Sequence, residues 1–168
     1  MTDAESFTTS WVDLKKRKVF FYDTKSGTHN LPLTDAVYEI LRQRREMINE
    51  LTPKAAKWVF PALSKFSKTG HYTDSRSLLE YICKDATITK RASHDFRRTF
   101  ATVAENLCSM LMLKRMMGHS LGEDVTNRYP DMESSLLENL QRVELHILST
   151  SPVVHNALLS PKYLLINK

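Results

Sequence analysis

A change in the spacing of apolar residues near position 33 constrains the fold of this chain more than any other feature. Residues 18–22 (KVFFY) are rich in β-branched and aromatic side chains, residues 23–27 (DTKSG) favour a turn, and residues 28–33 (THNLPL) can return as a second strand. Pro32 has no N–H to donate, which places the returning strand at a sheet edge. Beyond this hairpin the apolar residues recur at helical spacing. The pattern predicts a mostly helical α+β domain with a small antiparallel sheet.

Two helices are predicted directly after the hairpin. The first covers residues 35–51, with Thr34 as its N-cap. The second begins after Thr73 or Asp74, either of which could cap it. Its helical spacing is defined by four residues, Ser77, Leu78, Tyr81 and Ile82.

Three further helices are predicted in the C-terminal half. One covers residues 94–107, just after Ser93, and its apolar stripe consists of Phe96, Phe100, Val103 and Leu107. A short helix over residues 110–117 ends at Gly118, a residue suited to a left-handed C-cap. The last helix is amphipathic, and its apolar positions are Leu136, Leu137, Leu140, Val143 and Ile147.

Composition narrows the class of protein. The 168 residues suit one globular domain, and 24 Lys and Arg against 19 Asp and Glu give a net charge of +5, which favours a polyanionic partner. Cys83 and Cys108 have no Cys or His neighbours at zinc-site spacing, so we expect two reduced thiols and no metal. No apolar run has the length of a spanning helix and no signal peptide is evident, which predicts a cytoplasmic protein with no membrane partner.

A few residues could take part in chemistry. His94 and Arg97 lie three apart at the start of a predicted helix, so they share a face at the helix end that attracts anions, and a phosphate could bind there. The plainer interpretation is a capping histidine beside a solvated arginine. By themselves, His119 after Gly118, Tyr129 in TNRY and Lys25 at the hairpin tip are equally compatible with ordinary loop or surface roles.

Taken together, these residues resemble the signature of the tyrosine recombinases of the phage-integrase kind. Residues 94–107 (HDFRRTFATVAENL) are similar to the family's HxLRRTFAT helix, and residues 115–129 (RMMGHSLGEDVTNRY) to its LLGHSxxxxTxxY segment. Residues 10–37 are similar to its WxDID, TKxG and PL hairpin. The similarity extends from about Glu5 to about Leu148 and is greatest to prophage integrases.

The resemblance implies a role for each candidate. Tyr129 would be the nucleophile that forms a 3′-phosphotyrosyl bond with DNA, and Arg97 would be the second of two family arginines that hold the phosphate. His94 and His119 would be the accompanying histidines, and Lys25 would be a general acid. No cofactor is implied. The implied partners are double-stranded DNA at attachment sites and other recombinase protomers, with a monomer plausible in isolation.

The same comparison implies the domain organisation. Residues 1–148 would form the catalytic domain, and residues 149–168 a C-terminal tail that docks either on its own domain or on a neighbouring protomer. The family's amino-terminal core-binding domain would be absent. The sequence does not decide between docking of the tail on its own domain and docking on a neighbouring protomer.

Two positions depart from the family pattern. The first family arginine lies three residues before a glutamate that precedes the hairpin tryptophan by six; Glu5 and Trp11 keep the second interval, so the arginine's place falls on Thr2. Pro130 directly follows the tyrosine. Because one phosphate-binding arginine is missing, through truncation or loss, we expect this chain alone to have little or no activity.

Three alternatives remain open. The chain could be a non-catalytic DNA-binding remnant of an integrase, or a type IB topoisomerase with similar chemistry. It could also be a helix-turn-helix regulator built on the turn at Ser109. The last alternative needs base-reading side chains on its second helix, yet residues 111–118 (LMLKRMMG) are largely apolar.

Overall fold

The computed structural model describes residues 7–24, 27–49, 55–62, 64, 66–119 and 132–150. Besides two short 3-10 helices, Thr9–Trp11 and Ala55–Lys57, these residues form three strands and five α-helices. The elements are β1 (Val12–Asp13), β2 (Lys18–Thr24), β3 (Gly27–Pro32), α1 (Asp35–Asn49), α2 (Arg76–Asp85), α3 (Ser93–Glu105), α4 (Met110–Met116) and α5 (Met132–Thr150). The mostly helical α+β fold with a small antiparallel sheet is confirmed.

The sheet is antiparallel in the order β1-β2-β3. In the predicted hairpin, Lys18 pairs with Pro32 and Phe21 pairs with His29. Pro32 therefore lies on an edge strand, as its missing N–H requires. The hairpin tip, with Lys25, lies outside the described residues.

Two apolar clusters form the core and meet at β3. The first lies beside the sheet and contains Phe7, Val19, Leu33 and Val59. The second is helical and contains Ala104, Leu113, Met116, Leu136 and Val143. Leu31 of β3 packs against both clusters. The edge strand thus joins the sheet to helices α3, α4 and α5, because Leu31 contacts both clusters.

The structure corrects the predicted apolar stripe of α3 at one residue. Phe96 is 58% exposed, whereas Ala104, which the prediction left out, is fully buried. The other three residues of the stripe, Phe100, Val103 and Leu107, pack against the helical cluster. Phe96 belongs to the first turn of α3, before that contact begins, so its helical spacing does not bury it.

The helix α2 is confirmed, but its apolar side is not buried. Its N-cap is Ser75, so the predicted cap at Thr73 or Asp74 was wrong by one or two residues. The Asp74 side chain nevertheless accepts a hydrogen bond from the backbone N–H of Arg76 (2.8 Å). Leu78, Tyr81 and Ile82 are exposed, and the buried residue is Cys83. The spacing therefore identified the helix correctly without identifying the side that packs.

The predicted bounds of the other helices differ only at their ends. α1 is described to Asn49, α3 begins at Ser93 rather than His94 and ends at Glu105, and α4 ends at Met116. α5 includes Ser149 and Thr150, while residues 151–168 lie outside the described part of the chain. The proposed tail beginning at residue 149 stays a prediction. No helix of the described ranges combines the length and apolarity that crossing a membrane requires.

A carboxylate from the last helix completes the start of α1. Thr34 precedes Asp35 as predicted, but its buried hydroxyl donates to Glu144 Oε1 (2.5 Å). The same oxygen accepts the backbone N–H of Ala36 (3.1 Å), one of the N–H groups that a helix leaves without an internal partner. The acceptor at this helix start therefore comes from α5, 108 residues away from Ala36 in sequence.

We expect Glu144→Ala to lower the free energy of unfolding by about 1 to 3 kcal/mol, because the Thr34 hydroxyl and the Ala36 N–H would lose a charged acceptor. Urea denaturation followed by circular dichroism measures the change. Glu138→Ala, on an exposed position of the same helix, is the matched control and should cost less than about 0.5 kcal/mol. Equal losses in the two variants would contradict this account of Glu144.

Candidate active site

The site is built on the first turn of α3. The Asp95 carboxylate accepts the backbone N–H of Ala92 (2.9 Å), and Asp95 N–H donates to Ala92 carbonyl oxygen (2.9 Å). The hydrogen bond from Ala92 lowers the pKa of Asp95, and the positive charges of Arg98, Arg91 and His94 add to the effect. These hydrogen bonds form the start of α3 just before His94 and Arg97. The side chains of both residues therefore lie near the N-terminal end of the helix, which carries the positive end of its dipole.

Arg97 links α3 to the end of α4. Its Nη2 donates to the carbonyl oxygen of Met117 (2.9 Å) and lies 3.2 Å from Nε2 of His119. In the described part of the chain, no hydrogen bond is made by Arg97 Nε or Nη1, and the side chain is exposed. The guanidinium is thus held through Nη2, while the N–H groups of Nε and Nη1 have no partner among the described residues.

The turn after α4 brings His119 to Arg97. Gly118 has a φ of +68°, the left-handed conformation that glycine adopts without strain. Gly118 N–H donates to the carbonyl oxygen of Arg115 (3.1 Å), and His119 N–H donates to that of Lys114 (2.9 Å). These bonds close the helix end as predicted. His119 Nε2 accepts from Arg97, which puts the proton of a neutral imidazole on Nδ1.

The structure brings together two of the five predicted site residues. Arg97 and His119 are hydrogen-bonded across 22 residues of sequence. His94 is exposed one turn earlier on α3 and, among the described residues, makes no hydrogen bond to either of them. Lys25 and Tyr129 lie outside the described residues.

The segment that contains Tyr129 is preceded by an anchored residue and followed by another. His119 is held through its N–H as described above, and Glu133, in the first turn of α5, forms an ion pair with Lys18 of β2. The start of α5 is therefore tied to the same hairpin that carries Lys25.

The chemistry of this site is cationic. A guanidinium donates two parallel hydrogen bonds to phosphate oxygens, and the adjacent imidazole can donate or accept a proton. The described ranges contain no group of three His, Cys, Asp or Glu side chains that could hold a metal ion. Arg97 and His119 can therefore form part of a site for a phosphate group.

Sequence reasoning did not single out His29, although it adjoins the site. A Cβ atom added to Gly118 would lie 2.8 Å from His29 Nε2, so the imidazole lies directly against the turn before His119. The signal in the sequence was the position of His29 opposite Phe21 in the predicted hairpin.

Comparison with known proteins identifies the family. The family model described as "Phage integrase family" matches residues 1–135, well over half of the chain and a range that includes Arg97 and His119. Comparisons with curated proteins and with solved structures gave no match. The mostly helical α+β fold with its small antiparallel sheet is consistent with the family match. The chain therefore belongs to the phage integrase family, whose members are generally tyrosine recombinases that act on DNA in site-specific recombination.

Proposed function

We propose that this chain is the catalytic domain of a recombinase that cuts and rejoins DNA through a 3′-phosphotyrosyl intermediate. The observation that carries the proposal is the hydrogen bond between Arg97 Nη2 and His119 Nε2. Arg97, from the start of α3, and His119, just after α4, can both interact with a phosphate. The fold brings them into contact although they are 22 residues apart in sequence. An arginine held through one nitrogen can offer the N–H groups of its other two nitrogens to a phosphodiester.

In the proposed reaction, the phenol of Tyr129 gives its proton to a neighbouring histidine, and its oxygen attacks the phosphorus of one DNA strand. The bond from phosphorus to the 5′-oxygen breaks, and Lys25 supplies the proton that this oxygen takes up. Arg97 and His119 stabilise the negative charge that develops on the non-bridging oxygens, and His94 assists from the preceding turn of α3. Rejoining reverses these steps with a 5′-hydroxyl of another strand.

The anchored residues on either side of the tyrosine segment support this assignment. Lys18 and Glu133 tie the start of α5 to the hairpin, and His119 N–H is bonded to α4. A nucleophile must be held near its target for efficient attack. The described residues on either side of this segment, His119 and Glu133, contact Arg97 and the hairpin respectively.

The proposed partners are duplex DNA at attachment sites and further recombinase protomers that assemble on it, in prophage integration or excision. The net charge of +5 favours binding to DNA. The chain is proposed to be a monomer when DNA is absent. Within the cell we propose a cytoplasmic location, where its DNA substrate is accessible.

One sequence feature favours a second candidate function, a DNA-binding remnant without catalysis. The place of the first family arginine falls on Thr2. Loss of one donor to the transition state typically lowers the rate by about 10²- to 10³-fold, and arginines that act on phosphoryl groups can contribute more. The proposal therefore includes weak or undetectable cleavage by the unaltered chain.

We expect Thr2→Arg to raise covalent DNA attachment by about 10²-fold or more, because it restores a cation at the place of the missing family arginine. The chain is incubated with a library of nicked duplexes of random sequence, and the protein–DNA adduct is measured on a denaturing gel. Mass spectrometry then identifies the modified residue as Tyr129.

The control is Tyr129→Phe in the Thr2→Arg background, which should abolish the adduct. An adduct that survives this substitution would refute the role of Tyr129. A different outcome would support the second candidate function, a DNA-binding remnant without catalysis. In that case no variant forms an adduct, but the chain binds duplex DNA with a log affinity that falls linearly with log salt concentration.

We expect Arg97→Lys to slow adduct formation by about 10²- to 10³-fold in the Thr2→Arg background, since an ammonium cannot bond two phosphate oxygens as a guanidinium does. The measurement is the single-turnover rate at saturating protein. Arg98→Lys is the matched control, because Arg98 is the exposed neighbour on the same helix, and it should leave this rate nearly unchanged. Equal loss in both variants would indicate general DNA binding rather than a specific site.

A further inference from the structure

The imidazole of His29 is held on the hairpin by an aromatic contact. His29 of β3 lies opposite Phe21 of β2 in the sheet register. The two rings are stacked, with centroids 5.0 Å apart and an interplanar angle of 21°. Phe21 in turn packs against the cluster beside the sheet. One side of the His29 ring therefore has a fixed support.

The ring also contacts the turn that carries His119. A Cβ at Gly118 would lie 2.8 Å from His29 Nε2 and 3.1 Å from its Cε1, closer than side chains normally approach. Gly118 also has a φ of +68°. A side chain at this position would therefore meet both a strained backbone conformation and the imidazole beside it.

Hydrogen bonding does not explain why His29 occupies this place. Its Nδ1 is buried and has no hydrogen-bond partner among the described residues. An unsatisfied buried nitrogen destabilises the folded state, so an apolar side chain would serve stability better. What the flat ring contributes is its shape, between Phe21 and Gly118.

We propose that His29 is a positioning residue that sets the Gly118–His119 turn against the hairpin and so keeps His119 Nε2 within hydrogen-bonding distance of Arg97. The contact also couples the turn to the hairpin whose tip carries Lys25. This inference rests on the proposed function, because it assigns His29 to the site formed by Arg97 and His119.

The first test uses the unaltered chain and nuclear magnetic resonance. The contact predicts a nuclear Overhauser effect between His29 Hε1 and the Gly118 α protons. The Arg97–His119 bond predicts that neutral His119 carries its proton on Nδ1, and the imidazole ¹⁵N shifts distinguish this tautomer from the Nε2–H form. Absence of the Overhauser effect in the folded chain would overturn the inference.

The second test is His29→Ala. Without the ring, the Gly118 turn loses its support, and we expect the His119 ¹⁵N shifts to move toward those of an imidazole that exchanges freely between tautomers. His146→Ala, at an exposed position of α5, should leave them unchanged. A folded His29→Ala variant with the His119 tautomer of the unaltered chain would refute the positioning role.

The two tests separate this inference from the proposed function. If His29→Ala does not fold, the Overhauser effect in the unaltered chain still decides whether the contact exists. Both readouts are taken without DNA, so they stand even if no variant forms a covalent adduct. Conversely, adduct formation with an unchanged His119 tautomer in His29→Ala would support the enzyme and reject the role of His29.

Discussion

The packing of α3 against α4 and α5 around Ala104 is the constraint on which the site depends. Ala104 is fully buried, and its small side chain allows the helices to approach closely. Leu113 and Met116 of α4 pack into the same cluster. This packing directs the end of α4 toward the start of α3, so Met117 and His119 come within reach of Arg97. It also buries the apolar side of α4 in the core, whereas a DNA-reading helix would need polar side chains exposed to the bases.

The sheet is attached to these helices through a few specific contacts. Leu31 belongs to both apolar clusters, Lys18 forms an ion pair with Glu133, and His29 lies against Gly118. At the opposite end of β3, Glu144 of α5 completes the start of α1. Because these contacts join the hairpin to several helices, the position of the sheet depends on the helices. The position of the turn that carries His119 depends in the same way on the sheet.

In the proposed DNA site, Arg97 has a fixed place in the fold and also keeps N–H groups that have no hydrogen-bond partner among the described residues. The guanidinium is bonded through Nη2 to a backbone carbonyl and an imidazole, neither of which is an anion. A carboxylate partner would neutralise it and compete with phosphate. Partners that carry no negative charge orient the cation and leave its charge available for an anion.

The sequence by itself determined the hairpin, the edge position of Pro32, the helices and the left-handed Gly118, because hydrophobic spacing and local backbone preference depend on neighbours in the chain. The sequence motifs also predicted Arg97 and His119 as site residues. Only the tertiary structure decided that these two side chains touch, that Phe96 is exposed while Ala104 is buried, and that Glu144 completes the start of α1. These outcomes depend on which face of each helix packs against an element that is distant in sequence. The local spacing of apolar residues carries no information about that distant element.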